Sequence, residues 1–164
     1  MIRGTVDRTA RLKPYRAVDP LCSLDGVFEA LSHLEQIYPG FRAWYFERVV
    51  PAVALGTRFV TVRRESGIPI GVAIAKDEGG ERKLCTLWVR DGCRGRGIAR
   101  ALADEAFDWL GDRRPLFTVP EERMSEFLPL VTGWQFGEPV RHDSLYRDGR
   151  CEFVFNGKLG YEAH

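Results

Sequence analysis

The chain carries almost no net charge. Its 24 Lys and Arg are balanced by 23 Asp and Glu, a formal +1 over 164 residues, so no overall field draws it to nucleic acid or to an anionic membrane surface. Any anion site must be local. Long apolar runs are missing as well: nothing approaches the roughly 20 residues that cross a bilayer. The N-terminal MIRGTVDRTARLK has no apolar centre of the kind a secretory signal needs. The cytoplasm is the expected location, without a membrane partner. Cysteine is sparse and scattered, and Cys22, Cys85, Cys93 and Cys151 form no Cys-x-x-Cys pair. Reduced thiols are therefore expected in place of disulfides, and no metal site is expected. Internal repeats and low-complexity tracts are lacking too. What is present, 45% hydrophobic and 12% aromatic residues, suits one domain spanning residues 1–164 with a sizeable core.

The order of elements follows from changes of period. A short strand is expected in Thr5–Leu12, and Asp19-Pro20 supplies a helix-start signal. Val27, Leu31, Leu34 and Tyr38 then recur at helical spacing until Pro39-Gly40. A second helix reads from FRAWYFERVV, with Phe41, Trp44, Tyr45 and Val49 on one face and Pro51 ending it. From Thr57 the period becomes two: RFVTVRR, IPIGVAIAK and RKLCTLWVR are strands separated by Glu65-Ser66-Gly67 and by Asp77-Glu78-Gly79-Gly80. These make an antiparallel meander. Ile98, Leu102, Ala106 and Leu110 stripe a helix stopped by Gly111, and PLFTV re-enters the sheet as a parallel neighbour. EERMSEFLPLV reads as a short helix weakened by Pro129, and EPVRHDSLY with CEFVFNG as a hairpin closed by Arg147-Asp148-Gly149.

Between the third strand and the striped helix lies CRGRGIARAL, residues 93–102. A helix start has backbone amides without intrahelical partners and a partial positive charge, so it holds phosphate well if the backbone can come close. Gly95 and Gly97 remove the side chains that would keep a pyrophosphate away, and Arg94 and Arg96 add full charges and fork-shaped donors. The turn suits a diphosphate.

In its context, LWVRDGCRGRGIARAL resembles motif A of the GNAT superfamily of N-acetyltransferases, with Arg94, Gly97 and Ala99 filling the core of the pattern. The element order is similar over almost the whole chain. The resemblance implies an α/β (α+β) fold of GNAT type: a mixed, mostly antiparallel sheet of about six to seven strands with about four helices. It implies acetyl-CoA as cofactor, with its pyrophosphate on Arg94, Gly95, Arg96, Gly97, Ile98, Ala99 and Arg100, and its pantetheine arm along Leu87 and Val89. The implied reaction is direct attack of a primary amine on the thioester, by a small-molecule or protein acceptor.

Two departures stand out. Many family members carry a Glu where this chain has Lys83, and a Tyr, donor of a proton to the leaving thiolate, where it has Pro129. Candidate catalytic groups are therefore Tyr146 with Ser125 as acids, and Glu81 and His142 as bases, the last for its near-neutral pKa in solution. Glu121 and Glu122 suit a helix start. Phe41 and Tyr45, in an aromatic segment with Tyr38, Trp44 and Phe46, are candidates for the acceptor site, since aromatic faces attract ammonium groups. A non-catalytic acyl-CoA-binding module is the alternative, given the missing acid and base. Nucleic acid is not an expected partner of the arginine cluster, because no second basic stripe appears. The acceptor's identity and the oligomeric state, a homodimer included, stay open.

Overall fold

A computed structural model describes residues 24–157. The expected Thr5–Leu12 strand, the Asp19-Pro20 signal, Cys22 and the C-terminal tail lie outside the described residues. Six strands form one sheet in the order β1-β2-β3-β4-β6-β5: β1 Arg58–Glu65, β2 Ile68–Glu78, β3 Glu81–Val89, β4 Leu116–Pro120, β5 Val140–Asp143 and β6 Cys151–Phe155. All neighbours are antiparallel except β3 and β4. The sheet is mixed, mostly antiparallel and six-stranded, as expected.

The meander is built by two tight turns. Ser66 and Gly67 (φ 50° and 78°), then Gly79 and Gly80 (φ 60° and 80°), take consecutive left-handed conformations. That twist matches the twist of the flanking strands, which is why two-residue hairpins favour it. The strands consequently run further than their apolar patterns, β2 reaching Glu78.

Each face of the sheet has its own core. On one face α4, Ile98–Leu110, and α5, Met124–Gly133, bury Leu102, Ala106, Phe107, Phe127 and Val131 against Ala73, Leu84, Leu87 and Phe117. On the other, α1, Val27–Leu31, and α2, Phe41–Trp44, bury Val27, Leu31 and Phe41 against Val72, Ile74 and Trp88. The central strand β2 is covered on both sides, which accounts for its unbroken apolar run. Gly71 on β2 is where α4 comes closest: a Cβ there would lie 2.7 Å from Ile98 Cγ2 and 2.9 Å from Leu102 Cδ1.

Pro51 does not end the second helix. The chain widens into a π turn over Tyr45–Val49 and resumes as α3, Val50–Ala54. A proline inside a helix has no N–H to donate and crowds the carbonyl four residues back; the wider turn relieves both. Pro129 likewise sits within α5, which continues to Gly133. The carbonyl that it leaves unpaired belongs to Ser125, on the exposed side. The last hairpin departs from expectation in the opposite direction. β5 stops at Asp143, so Tyr146 belongs to the Ser144–Arg150 connection rather than to a strand. Ser144 takes φ 57° and its Oγ accepts from the Gly149 amide, closing that loop locally.

Gly71→Ala is expected to lower stability by about 1–3 kcal/mol, because the added Cβ would press on the fully buried Leu102 as well as on the χ1-restricted Ile98. A lower urea midpoint with unchanged slope would show it.

Candidate active site

The site grows from one irregularity. β3 and β4 pair only at Lys83↔Leu116 and Leu84↔Phe117; beyond these the two parallel strands part. The edge of β3 from Cys85 to Val89 therefore has no strand neighbour on that side. The β2–β3 register shifts between Ile74 and Ala75, so Cys85 is an extra residue in β3. This bulge rephases the strand. Leu84 and Leu87 both face α4, while Lys83, Cys85, Thr86 and Trp88 turn to the opposite side.

A cavity opens on each face of the gap. The one of about 330 Å³ lies between β3, α4 and α5, bounded by Leu87, Val89 and the Arg/Gly turn from Cys93 to Arg100, Arg96 excepted. Gly97 caps α4 with φ 76°, and the first intrahelical bond runs from the Ala101 amide to the Gly97 carbonyl. The amides of Ile98, Ala99 and Arg100 thus have no partner within the helix. Gly92, Gly95 and Gly97 all have φ between 76° and 86°. A Cβ at Gly95 or Gly97 would meet nothing within 4 Å: the mouth of the helix is open, not plugged by side chains.

The arginines here are held by carboxylates. Arg94 pairs with Glu126 of α5 and with Asp91 at 3.1 Å, and Arg96 with Glu65 at 3.1 Å. Glu126 also accepts from Arg123 at 2.6 Å and 3.0 Å, so one carboxylate holds two guanidinium groups beside the turn. Arg100 lies against the backbone of Gly133. Pro129 lines this cavity and Ser125 does not. Amides, guanidinium forks and open glycines converge on one place, the chemistry a diphosphate requires.

The second cavity, about 170 Å³, lies on the α1/α2 face and is lined by Tyr38, Phe41, Trp44, Lys83, Thr118 and Tyr146, among others. Lys83 is buried, and its Nζ donates to Tyr146 Oη at 3.1 Å. The ring of Tyr146 meets that of Tyr38 edge-on at 5.5 Å. Burial pushes the Tyr38 phenol well above its ordinary value. Tyr45 is packed into the core behind this cavity and does not line it; burial raises its phenol to about 12.

The remaining candidates are dispersed. Glu81 sits at the β2–β3 hairpin end, ion-paired with Lys76 at 2.7 Å. His142 is on the edge strand β5, opposite Glu152, and lines neither cavity. Glu122 pairs with Arg147 at 2.6 Å, and Glu121 with Arg141. Among the described residues no group of His, Cys, Asp and Glu gathers with metal-holding geometry, and Cys85, Cys93 and Cys151 are free thiols.

One acidic group was hidden in the sequence. Glu152 is 1% exposed on β6, and among the described residues neither carboxylate oxygen has a hydrogen-bond partner. The nearest cation, Arg147, stands 4.0 Å away. Burial raises the Glu152 carboxyl to about 7, against the pull of Arg147. Its field is felt at Tyr38 and it feels that of Lys83. In CEFVF it read only as the polar interruption of a strand. The signal available is a lone carboxylate inside an otherwise apolar strand.

Known proteins share the family and the fold. Residues 26–123 match the acetyltransferase (GNAT) family. The structure of yncA from Salmonella typhimurium with its cofactor acetyl-CoA superposes with TM-score 0.60 at 16% identity, over 90% of this chain and 94% of that one. A GNAT-family protein from Desulfovibrio desulfuricans gives 0.54 at 16%, over 65% and 71%. A Bacillus anthracis chain in complex with acetyl coenzyme A gives 0.53 at 10%, over 64% and 65%, so about a third of that chain has no counterpart here. No curated protein matches significantly.

Glu152 makes stability pH-dependent. Its folded pKa is raised, so between the ordinary value of 4.5 and about 7 the folded state holds a proton that the unfolded chain has lost. Stability from this group is complete at the lower end and falls as pH rises through the window. Urea midpoints at pH 5 and pH 8 are expected to drop less for Glu152→Gln than for the unsubstituted protein.

Proposed function

The chain belongs to the GNAT acetyltransferase family, and on that premise we propose that it is an N-acyltransferase moving the acetyl group of acetyl-CoA directly to a primary amine. The observation that carries this reading is the pair of cavities on opposite faces of the β3/β4 gap. One has the donor set for a diphosphate, and the other is aromatic-walled and holds buried polar groups. Direct transfer needs this arrangement: two reactants entering from different sides and meeting in a gap through the sheet.

When bound, acetyl-CoA supplies the thioester carbon that the amine attacks. The Arg94–Arg100 turn holds the diphosphate by backbone amides and guanidinium groups, and Leu87 and Val89 line the path toward the gap. Tyr38, Phe41 and Trp44 receive the acceptor and exclude water from its apolar part.

Proton movements fall to groups on the acceptor side. Tyr146 can give a proton to the departing thiolate, and Lys83 beside it offsets the charge that then develops on oxygen. Glu152 is the base this reading favours, because a carboxyl near 7 is both available and strong enough close to neutrality. Glu81 is engaged by Lys76; neither His142 nor Glu152 lines a cavity, and Glu152 is preferred for its raised carboxyl and for the fields it shares with Tyr38 and Lys83. The second reading, an acyl-CoA-binding module without turnover, draws on Pro129 in the cofactor cavity.

An acceptor screen with acetyl-CoA, read as CoA thiol release and product mass, separates the two. Acetylation of an amine supports transfer; cofactor binding without turnover of any acceptor supports the module. Gly97→Glu is expected to abolish CoA binding by calorimetry, with Gly97→Ala, equally strained at φ 76° but uncharged, losing far less. Unchanged affinity in Gly97→Glu would remove the diphosphate site. Tyr146→Phe is expected to lower kcat by about 10²- to 10⁴-fold with CoA affinity intact.

A further inference from the structure

The acceptor cavity contains a buried cation that no carboxylate among the described residues pairs with. Lys83 is 6% exposed and sits at the first of the two β3–β4 pairs, beside the point where the strands part. An ammonium offers three donors. Among the described residues, Tyr146 Oη is its hydrogen-bond acceptor, and no carboxylate forms an ion pair with it. Of the two carboxylates whose fields reach it, Glu81 is engaged by Lys76 at 2.7 Å, and Glu152 makes no ion pair with it and stands 4.0 Å from Arg147.

Burial pulls the Lys83 pKa down, but Tyr146 and Cys85 outweigh it and the net direction is upward. The side chain therefore stays charged. A buried ammonium with spare donors is costly until an anion meets it. The walls around it are the rings of Tyr38, Phe41, Trp44 and Tyr146, and the volume, about 170 Å³, lies below the roughly 300–1,000 Å³ of pockets for drug-sized ligands. The space suits a small molecule with one anionic group and an apolar remainder.

We propose that Lys83 anchors a carboxylate of the acceptor, so that the substrate class is a small amino acid whose amino and carboxylate groups are one or two carbons apart. This rests on the transfer reading above. The closeness of the two groups follows from position: Lys83 stands beside the gap through which the acyl group must be met, so an anion held there keeps the attacking nitrogen near the gap. Aromatic walls take the side chain, which favours apolar or aromatic amino acids.

The experiment compares matched amines with the full chain and saturating acetyl-CoA: L-phenylalanine against phenethylamine, and L-leucine against isoamylamine, each read as kcat/KM for thiol release. The amino acid is expected to be favoured by about 10- to 100-fold, the worth of a charge-assisted hydrogen bond. Lys83→Met is expected to erase that preference by raising KM for the amino acids, while any loss of kcat through Tyr146 falls equally on both members of each matched pair, and Lys83→Arg to restore part of the preference. Circular dichroism and CoA calorimetry confirm that each variant is folded. Turnover that ignores the carboxylate, or prefers the amine without it, overturns this inference and leaves acyl transfer standing. Bound acetyl-CoA with no turnover of any amine overturns both.

Discussion

The site depends on two parallel strands that stop pairing. After Leu84 and Phe117 the β3 and β4 backbones diverge, and backbone polar groups that a continuous sheet would have satisfied become available to a ligand. A buried N–H or C=O without a partner costs free energy, so the fold must keep this gap narrow and line it with groups that a bound molecule can satisfy. The cores on the two faces hold it open. Helices α4 and α5 are anchored to one side through Leu84, Leu87 and Phe117, and α1 and α2 to the other through Val72, Ile74 and Trp88. The gap is a seam through the sheet, with a separately packed core on each face.

Charge is divided between the two sides of that seam. At the mouth of α4 the arginines are half-exposed and each is matched to a carboxylate: Arg94 to Glu126 and Asp91, Arg96 to Glu65. Exposed pairs of this kind are worth little, so they position guanidinium groups without holding them against an arriving phosphate. On the other side Lys83 and Glu152 are buried, and their balance is incomplete. Arg147 lies between Glu122 and Glu152, while Lys83 has a phenol. Desolvation makes these interactions strong and raises the carboxyl of Glu152 toward neutrality. Exchangeable ions on one face and fixed ones on the other suit the proposed transfer, in which a donor comes and goes and acid–base groups stay.

Local backbone irregularities aim the side chains. The extra residue at Cys85 turns Leu87 and Val89 toward the cofactor side and Thr86 toward the acceptor side. The π turn at Tyr45–Val49 carries a helix past Pro51 without losing the Phe41 and Val49 contacts of the core. The left-handed glycines before α4 present amides outward in succession. Each departs from regular geometry, and two of the three border a cavity, where such departures concentrate.

The sequence by itself determined the element order, the meander and the phosphate turn, because these rest on local causes: alternation of period two, glycines that tolerate positive φ, and a helix start with unpaired amides. It also determined family membership through Arg94, Gly97 and Ala99. What it concealed was set by contact between distant residues. Gly71 looked like one more strand glycine until α4 lay across it. Lys83 looked like a departure from a pattern, yet it meets Tyr146, 63 positions away, in a shared cavity. Glu152 looked like a polar residue in a hairpin and is a buried carboxyl. Burial and partnership are properties of a surface assembled from several elements, and no spacing along the chain encodes which of them will face the same gap. Tertiary structure alone decided that.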